Sequence, residues 1–387
     1  MVFKNANIFT EDFQFVRGGF TVENGRFGKV FEGDCDCKGY DLGGAYVIPG
    51  LIDVHNHGNS NADFSDGSYE GVARMAAYLG ANGVTSFAPA SMTLPYDVLE
   101  KAFATAAKLH AEKPAGSSKL QGIQMEGPFF SEKKKGAQNG AYLRLPDYDA
   151  FEKLFNGCGG LVKIVDVAPE LEGAEEFVAK ASKLCTVSIA HTDSDYEHAK
   201  AAIDAGVTHL THLYNAMPPI HHRKPGVIGA GSERDGGAAG RDDAAEGRGV
   251  IAELICDGYH VHPSSVRMAF KLFPGRICLI SDSLRCCGMP DGKYELGGQD
   301  VFLEGGVARL EDGTIAGSAT NVYQCMLNAI EYGIPVETAV AAATITPARE
   351  IGADDLIGSI AVGKYADFII CDQELKPEKI FLGGEEV

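Results

Sequence analysis

The stretch LIDVHNH at residues 51–57 is an apolar run that ends in two histidines, and the pattern of the chain changes there. From this point apolar, strand-like runs alternate with helical patterns of about 10–15 residues. Eight runs follow one another: Leu51–His57, Val84–Ala90, Leu120–Glu126, Leu161–Val167, Thr186–His191, His209–Tyr214, Ile251–Cys256 and Ile277–Asp282. This alternation predicts an α/β protein built on a (β/α)8 TIM-like barrel. A doubly wound sheet would alternate in the same way, but no glycine-rich dinucleotide fingerprint follows any of the runs.

Short strands separated by turns flank this region on both sides. The first fifty residues show strand-like runs between turn signals such as Asn24-Gly25. Strand character returns at Ala366–Cys371 and Ile380–Leu382. We therefore expect residues 1–50 and 353–387 to form one small β-sandwich domain, and residues 51–352 to form the catalytic barrel domain.

The composition is that of a folded, acidic protein. Of its 387 residues 45% are hydrophobic and 22% are charged, which argues against disorder and against a fibrous protein. Lys and Arg number 34 against 53 Asp and Glu, and a surface this acidic repels phosphate backbones, so no nucleic-acid partner is expected.

The longest apolar stretches are interrupted, for example at Pro49 and Gly50, and are too short to span a membrane. With no signal-peptide pattern at the N-terminus, we expect a cytoplasmic protein without a membrane partner.

The ten cysteines fit the same compartment, because most stand singly in apolar runs as reduced thiols do. Cys286 and Cys287 are adjacent, and adjacent cysteines form strained disulfides, so both are predicted to be thiols. Cys35 and Cys37 are predicted to be two thiols in a polar turn.

Two histidines close the first barrel strand, as Asp53-Val-His55-Asn-His57. Side chains at i and i+2 of a strand point to the same face, here towards the carboxyl end of the barrel, where barrel enzymes place their sites. Two imidazoles so placed suit one divalent metal ion. The alternative is a pair of polar residues that meet water at a strand end.

Four further residues of the same chemical kind end other runs. Glu126 follows the third run, His191 ends the fifth, His212 lies in the sixth and Asp282 ends the eighth. His209 is three residues from His212, so the two face opposite sides of the strand and only one can reach the barrel mouth. Six metal-binding or acid–base residues at the ends of five strands predict a metal-assisted hydrolase, in which Asp282 takes a proton from water and passes it to the leaving group.

A longer set of motifs resembles a known family. PGLIDVHNHG at 49–58 resembles the first-strand signature of the amidohydrolase superfamily, and GSIAVGKYADFII at 358–370 resembles its C-terminal signature. Further segments resemble the branch of that superfamily that deacetylates phosphorylated N-acetyl amino sugars: MEGPF at 125–129, AHTDS at 190–194, THLYNAMPP at 211–219, DGYHV at 257–261, SDS at 281–283, MPDGKYELGG at 289–298, DGTIAGSA at 312–319 and ITPAREIG at 345–352.

The resemblance implies hydrolysis of the acetyl group of a phosphorylated amino sugar, a small-molecule partner, by a homodimer or homotetramer. It implies Glu126, His191 and His212 as ligands of one divalent metal and Asp282 as the general acid and base. His55 and His57 would hold a second ion, with Glu126 bridging. The expected metal is Zn²⁺, with Mn²⁺, Fe²⁺ or Co²⁺ as alternatives, at one or two ions per chain.

The same resemblance implies substrate contacts, and these are Ala137, Gln138, Asn215, the backbone of Ala216, Arg223, His260, Ala316, Gly317 and Ser318. Gln138 stands where the family pattern has His. A guanidinium such as that of Arg223 suits a phosphate, which an acidic chain would otherwise repel. The alternative for Arg223 is a solvated basic loop.

Two other functions are weighed against this one. Another amidohydrolase could cleave a cyclic amide, deaminate a base or act on a different N-acyl sugar, although the cyclic-amide branch would favour a carboxylated lysine where this chain has Glu126. A non-catalytic scaffold is the second alternative. Such relatives usually lose their ligands, and this chain retains every candidate ligand.

Overall fold

The computed structural model describes residues 1–233 and 249–387, and its first element is a strand that the sequence pattern does not predict. Strand β1 (Val2–Phe9) contains Lys4, Asn5 and Asn7, which hide its alternation. Asn5 has a φ of 58° where the pairing of this strand shifts register. The other N-terminal strands are β2 (Phe15–Glu23), β3 (Arg26–Glu32), β4 (Tyr40–Asp41) and β5 (Tyr46–Pro49).

Strands and helices then alternate, as the eight apolar runs predict. The strands are β6 (Leu51–Asn56), β7 (Gly58–Asn59), β8 (Ala62–Asp63), β9 (Val84–Pro89), β10 (Lys119–Leu120), β11 (Ile123–Met125), β12 (Val162–Val167), β13 (Thr186–Ile189), β14 (His209–Leu210), β15 (Ile251–Ile255) and β16 (Ile277–Ile280). The helices are α1 (Tyr69–Ala81), α2 (Tyr96–Glu112), α3 (Tyr148–Gly157), α4 (Ala174–Ala181), α5 (Tyr196–Ala205), α6 (Gly226–Ser232) and α7 (Pro263–Leu272).

Local sequence explains both kinds of element. Every residue of β6, β9, β11, β13 and β15 is buried, as expected for parallel strands covered on both faces. Helix α1 begins where the side chain of Ser68 accepts a hydrogen bond from the backbone of Gly71. Its buried face is formed by Val72, Met75 and Leu79, which recur at helical spacing.

The parallel strands form two sheets, in the orders β10-β9-β6 and β11-β12-β13-β14-β15-β16. The sheets meet at both edges through backbone hydrogen bonds. Ser91 donates to the carbonyl oxygen of Gln124 at 3.0 Å, and Asp282 donates to that of His55 at 2.9 Å. Parallel pairing places the carboxyl ends of these strands on one side, so the residues that follow them come together there.

An antiparallel sheet follows the last parallel strand. It consists of β17 (Gly292–Leu296), β18 (Gln299–Glu304), β19 (Val307–Leu310) and β20 (Ile315–Ser318). Its last residue, Ser318, pairs with Ser283, which brings Ala316 and Gly317 beside the carboxyl end of β16. Three helices come next: α8 (Val322–Glu331), α9 (Val336–Ala343) and α10 (Ile345–Glu350).

Both ends of the chain share one sheet. The last strands are β21 (Phe368–Cys371), β22 (Pro377–Leu382) and β23 (Glu385–Glu386). The sheet runs β23-β22-β21-β5-β1-β2-β3, with β4 beside β1, and β21 pairs antiparallel with β5. Phenylalanines from both ends pack on it, with ring centroids 4.9 Å apart for Phe20 and Phe368 and 4.5 Å for Phe368 and Phe381. The mixed α/β class and the pairing of the two ends are therefore confirmed.

The structure corrects one prediction about the cysteines. Cys35 and Cys37 are joined in a disulfide, so the prediction of two thiols in that turn is wrong. Their Cα atoms lie 5.3 Å apart, a distance that a disulfide can span. Eight cysteines are free and buried, and Cys286 and Cys287 are among them as predicted.

No helix within 1–233 and 249–387 is both long enough and apolar enough to cross a bilayer.

Candidate metal centre

The candidate ligands stand where the parallel strands end. His55 lies in β6 and His57 directly after it, Glu126 follows β11, and His191 and His212 lie two residues beyond β13 and β14. His191 and His212 have positive φ values of 45° and 32°. This backbone region is sparsely populated by residues other than glycine, and such residues cluster at functional sites.

Glu126 is the meeting point of the four imidazoles. Its Oε1 lies 3.1 Å from Nε2 of His191 and 3.2 Å from Nε2 of His212. The Nε2 atoms of His55 and His57 lie 3.6 Å and 3.4 Å from its two oxygens. Burial alone would raise the pKa of the Glu126 carboxyl, but hydrogen bonds with His191 and His212 hold that pKa well below its ordinary value.

The donor atoms fit a bound cation. Nδ1 of His191 donates to the carbonyl oxygen of Lys134 at 2.9 Å, so in the neutral ring Nε2 carries a lone pair. That lone pair faces Oε1 of Glu126 and lies 3.1 Å from Nε2 of His212. Nitrogen and oxygen atoms this close also suit a bound cation, because tetrahedral Zn²⁺ ligands at about 2.0–2.1 Å from the ion would lie about 3.3 Å from one another.

A second group of donors shares the same carboxylate. His55, His57 and Glu126 form one cluster that could hold an ion, and Glu126, His191 and His212 form the other. Nε2 of His55 is buried and has no hydrogen-bond partner among the residues that the structure describes. A divalent ion near Glu126 would satisfy it.

Asp282 lies against the second cluster. Its Oδ1 is 3.2 Å from Nε2 of His57 and 3.6 Å from Nε2 of His55. Its backbone is in the left-handed region, with a φ of 50°, and its carbonyl oxygen accepts a hydrogen bond from Ser318 at 2.8 Å. Burial alone would raise the pKa of the Asp282 carboxyl, but the neighbouring imidazoles lower it. The side chain is therefore a carboxylate at neutral pH and can accept a proton.

A cavity of about 220 Å³ opens onto these residues. Seven of the nine predicted substrate contacts line it: Ala137, Gln138, Asn215, Ala216, His260, Ala316 and Gly317. Ser318 is buried beside it, with its hydroxyl bonded to the carbonyl oxygen of Ser281 at 2.6 Å. Arg223 is exposed on the loop that follows Ala216, with Nη1 2.8 Å from Nε2 of His222.

Gln138 also holds the central carboxylate. Its Nε2 donates to Oε2 of Glu126 at 2.6 Å, and its Oε1 accepts from the backbone of Thr93 at 2.7 Å. The amide is thereby fixed in one orientation. Gln138 thus touches a candidate ligand as well as the cavity, a contact that the sequence alone does not reveal.

Asp257 fixes the orientation of the His260 ring. Its Nδ1 donates to Oδ2 of Asp257 at 2.7 Å, and Oδ1 of Asp257 accepts from the backbone of Tyr259 and of His260 at 2.9 Å each. His260 lines the cavity, and Nε2 is the ring nitrogen that remains to contact a ligand there.

Sequence reasoning missed several buried charged groups, among them Glu253. It contacts His55 and His209, and His209 faces away from Glu126 as the spacing predicts. Burial would lower the pKa of His209, but Glu253 and Glu350 raise it to about 10. The available signal was Glu253 itself, a charged residue inside the apolar run IAELIC.

Comparison with known proteins places these features in a family. The model of the amidohydrolase family matches residues 46–387. The chain belongs to the amidohydrolase family and is a hydrolase of that family.

Within the family, relatives named as deacetylases of phosphorylated N-acetyl amino sugars match most of the chain. The N-acetylglucosamine-6-phosphate deacetylase of Bacillus subtilis (strain 168) is 37% identical over 85% of this chain and 81% of its own length. The enzyme of the same name from Vibrio furnissii is 33% identical over 94% of this chain and 89% of its own. The crystal structure of N-acetyl-D-glucosamine-6-phosphate deacetylase from Mycobacterium smegmatis superposes with a TM-score of 0.90, at 30% identity, over the whole of both chains. The resemblance read from the motifs is confirmed.

Proposed function

We propose that this protein hydrolyses the N-acetyl group of N-acetylglucosamine-6-phosphate, giving glucosamine-6-phosphate and acetate in amino-sugar catabolism. The observation that carries the proposal is the convergence of four imidazoles on the buried carboxylate of Glu126, with Asp282 beside them at a cavity. The names of the relatives supply the substrate.

The metal centre is proposed to contain Zn²⁺, with Mn²⁺, Fe²⁺ or Co²⁺ as alternatives. Glu126, His191 and His212 would hold one ion, and His55 and His57 with Glu126 would hold a second. An ion bound there would polarise the amide carbonyl and lower the pKa of a water molecule.

Asp282 is the proposed acid and base. Its carboxylate accepts a proton from the attacking water as the C–O bond forms. It then donates that proton to the amine nitrogen as the C–N bond breaks, so that water is consumed and acetate and the free amine leave. The contact with His57 keeps the carboxylate directed at the reacting atoms.

The remaining predicted residues are proposed to bind the sugar phosphate. Ala137, Gln138, His260, Ala316 and Gly317 line the cavity and would contact the sugar, with Ser318 supporting that loop. Asn215 and the backbone of Ala216 begin the loop that carries Arg223, whose guanidinium would pair with the phosphate.

We propose finer features of the architecture as well. The backbone hydrogen bonds at both edges of the parallel sheets support one closed (β/α)8 barrel in residues 51–352. The sheet that both chain ends share is proposed to form the small β-sandwich of residues 1–50 and 353–387. The protein is proposed to be a cytoplasmic homodimer or homotetramer.

Acetate release tests the function. Purified protein of measured metal content should release acetate from N-acetylglucosamine-6-phosphate much faster than from N-acetylglucosamine. The galacto epimer of the phosphorylated sugar, assayed in parallel, gives the epimer preference. Absence of acetate release by protein that contains metal would contradict the proposal.

The exposed guanidinium of Arg223 gives a first prediction. Arg223→Ala should raise KM for the phosphorylated sugar by about 10–100-fold, because charge-assisted hydrogen bonds contribute about 1.5–3 kcal/mol each. Any turnover of the unphosphorylated sugar should be unchanged. Lys224→Ala, at the next exposed cation of the loop, is the matched control. Equal losses on both substrates would show that the phosphate binds elsewhere.

The two clusters give a second prediction, on metal count. Protein purified with zinc or manganese supplementation should contain two ions per chain, and the ion at His55 and His57 should leave first on dialysis against a chelator. His55→Gln should then retain one ion, whereas His198→Gln, at an exposed histidine, should retain two. If occupancy never exceeds one and His55→Gln changes neither rate nor metal content, the enzyme is mononuclear.

A further inference from the structure

Glu253 is a carboxylate in the middle of an otherwise apolar buried strand, β15. Its neighbours Ala252 and Leu254 are fully buried, and its own side chain is 0% exposed. Burying a carboxylate in such surroundings costs several kcal/mol unless its oxygens find partners. The partners that it has therefore indicate its role.

Each carboxylate oxygen of Glu253 lies close to histidines at or next to the candidate metal centre. Oε2 accepts from Nδ1 of His55 at 2.9 Å and from the backbone N–H of His212 at 3.0 Å. Oε1 lies 3.0 Å from Nε2 of His209, whose Nδ1 donates to Oε2 of Glu350 at 2.8 Å. One carboxylate oxygen thus touches one candidate ligand from each of the two clusters.

We propose that Glu253 is a positioning residue for the metal centre, and this proposal rests on the proposed function. By accepting from Nδ1, Glu253 fixes the tautomer of His55 and leaves the Nε2 lone pair directed at Glu126 and Asp282. Its Oε2 also accepts from the backbone N–H of His212, and Nε2 of His209 lies 3.0 Å from its Oε1.

The four candidate histidine ligands differ in the hydrogen-bond partner of their Nδ1 atoms. Nδ1 of His57 and Nδ1 of His212 have no hydrogen-bond partner in the part of the chain that the structure describes. Nδ1 of His191 bonds to a neutral backbone carbonyl. A carboxylate acceptor makes an imidazole a stronger ligand than a carbonyl does, so His55 should depend on its outer partner more than the others.

The test measures metal affinity rather than activity. Purified wild-type protein and Glu253→Gln are stripped of metal and titrated with Zn²⁺ against a chromogenic chelator. The ion at the His55 cluster should bind about 10–100-fold more weakly in the variant, because loss of an outer partner costs that much. The ion at the His191 cluster should lose less affinity, because the amide oxygen of Gln can still accept from the backbone N–H of His212. Asp367→Asn is the matched control, a buried carboxylate that accepts from Lys119 and from the backbone of Gly383 at the terminal sheet, and both of its affinities should be unchanged.

A double-mutant cycle separates positioning from general stability. In a His55→Ala background, which retains the ion at the His191 cluster, Glu253→Gln should change Zn²⁺ affinity no more than it changes the affinity of that same ion in the wild type, because its larger effect acts through His55. If Glu253→Gln does not fold, Glu253→Asp serves in its place, since it keeps the charge but falls one methylene short of His55.

Two outcomes overturn the proposal: equal weakening of both ions, and any result in which Glu253→Gln leaves every Zn²⁺ affinity of the wild type unchanged. Failure of the proposed function would appear separately, as wild-type protein that binds Zn²⁺ but releases no acetate.

Discussion

Asp282→Asn is expected to lower kcat by about 10²–10⁴-fold, the usual contribution of a general acid–base group. The amide is nearly isosteric with the carboxylate, but it cannot accept the proton of the attacking water. The contacts of Asp282 with His55 and His57 are 3.2 Å or longer, so the variant should keep its metal. Steady-state kinetics and metal analysis on the same preparation measure both effects.

Asp312→Asn, at an exposed aspartate on the hairpin turn before β20, is the control and should turn over normally. Near-normal turnover in Asp282→Asn would show that another group transfers the proton. Loss of metal together with turnover would instead make Asp282 a ligand.

Glu126→Gln is expected to abolish both metal binding and turnover, because one carboxylate belongs to both clusters. The loss of affinity should exceed the about 10–100-fold that an outer partner contributes. A neutral amide cannot balance the charge of an ion, and its NH₂ group would face Gln138 or an imidazole as a donor. Metal content after dialysis and acetate release measure the outcome.

The exposed Glu132 offers a comparison within the same loop, and Glu132→Gln should retain metal and activity. A Glu126→Gln protein that keeps two ions would show that the imidazoles alone hold them. Partial recovery of turnover at high Zn²⁺ would support weakened binding rather than a misfolded chain.

Much of the fold follows from local patterns. Runs such as Leu51–His57 and Ile277–Asp282 contain buried parallel strands because both faces of such strands are covered, which leaves a continuous apolar signal. The pattern fails at β1, where Asn5 and Asn7 break the alternation and pairing with distant strands decides the structure. The nine parallel strands lie where the eight runs predict, because β10 and β11 both fall at the third run.

The candidate site was predictable where it depends on strand ends. His55, Glu126, His212 and Asp282 come together because parallel strands share one carboxyl edge. Contacts that form only because a loop folds back onto the site were not predictable. Nothing in the spacing from Glu126 to Gln138 indicates that the loop brings the amide back to the carboxylate at 2.6 Å.

The shared terminal sheet has a consequence for protein synthesis. One edge of strand β5 is hydrogen-bonded only when β21 pairs with it, and more than three hundred residues separate the two strands. At about 5–20 residues per second, roughly 20–60 s pass between their synthesis on the ribosome. During that time β5 presents an unpaired edge on the growing polypeptide, directly before the strand that carries His55. The nascent chain is therefore most exposed to edge-to-edge association before translation reaches β21.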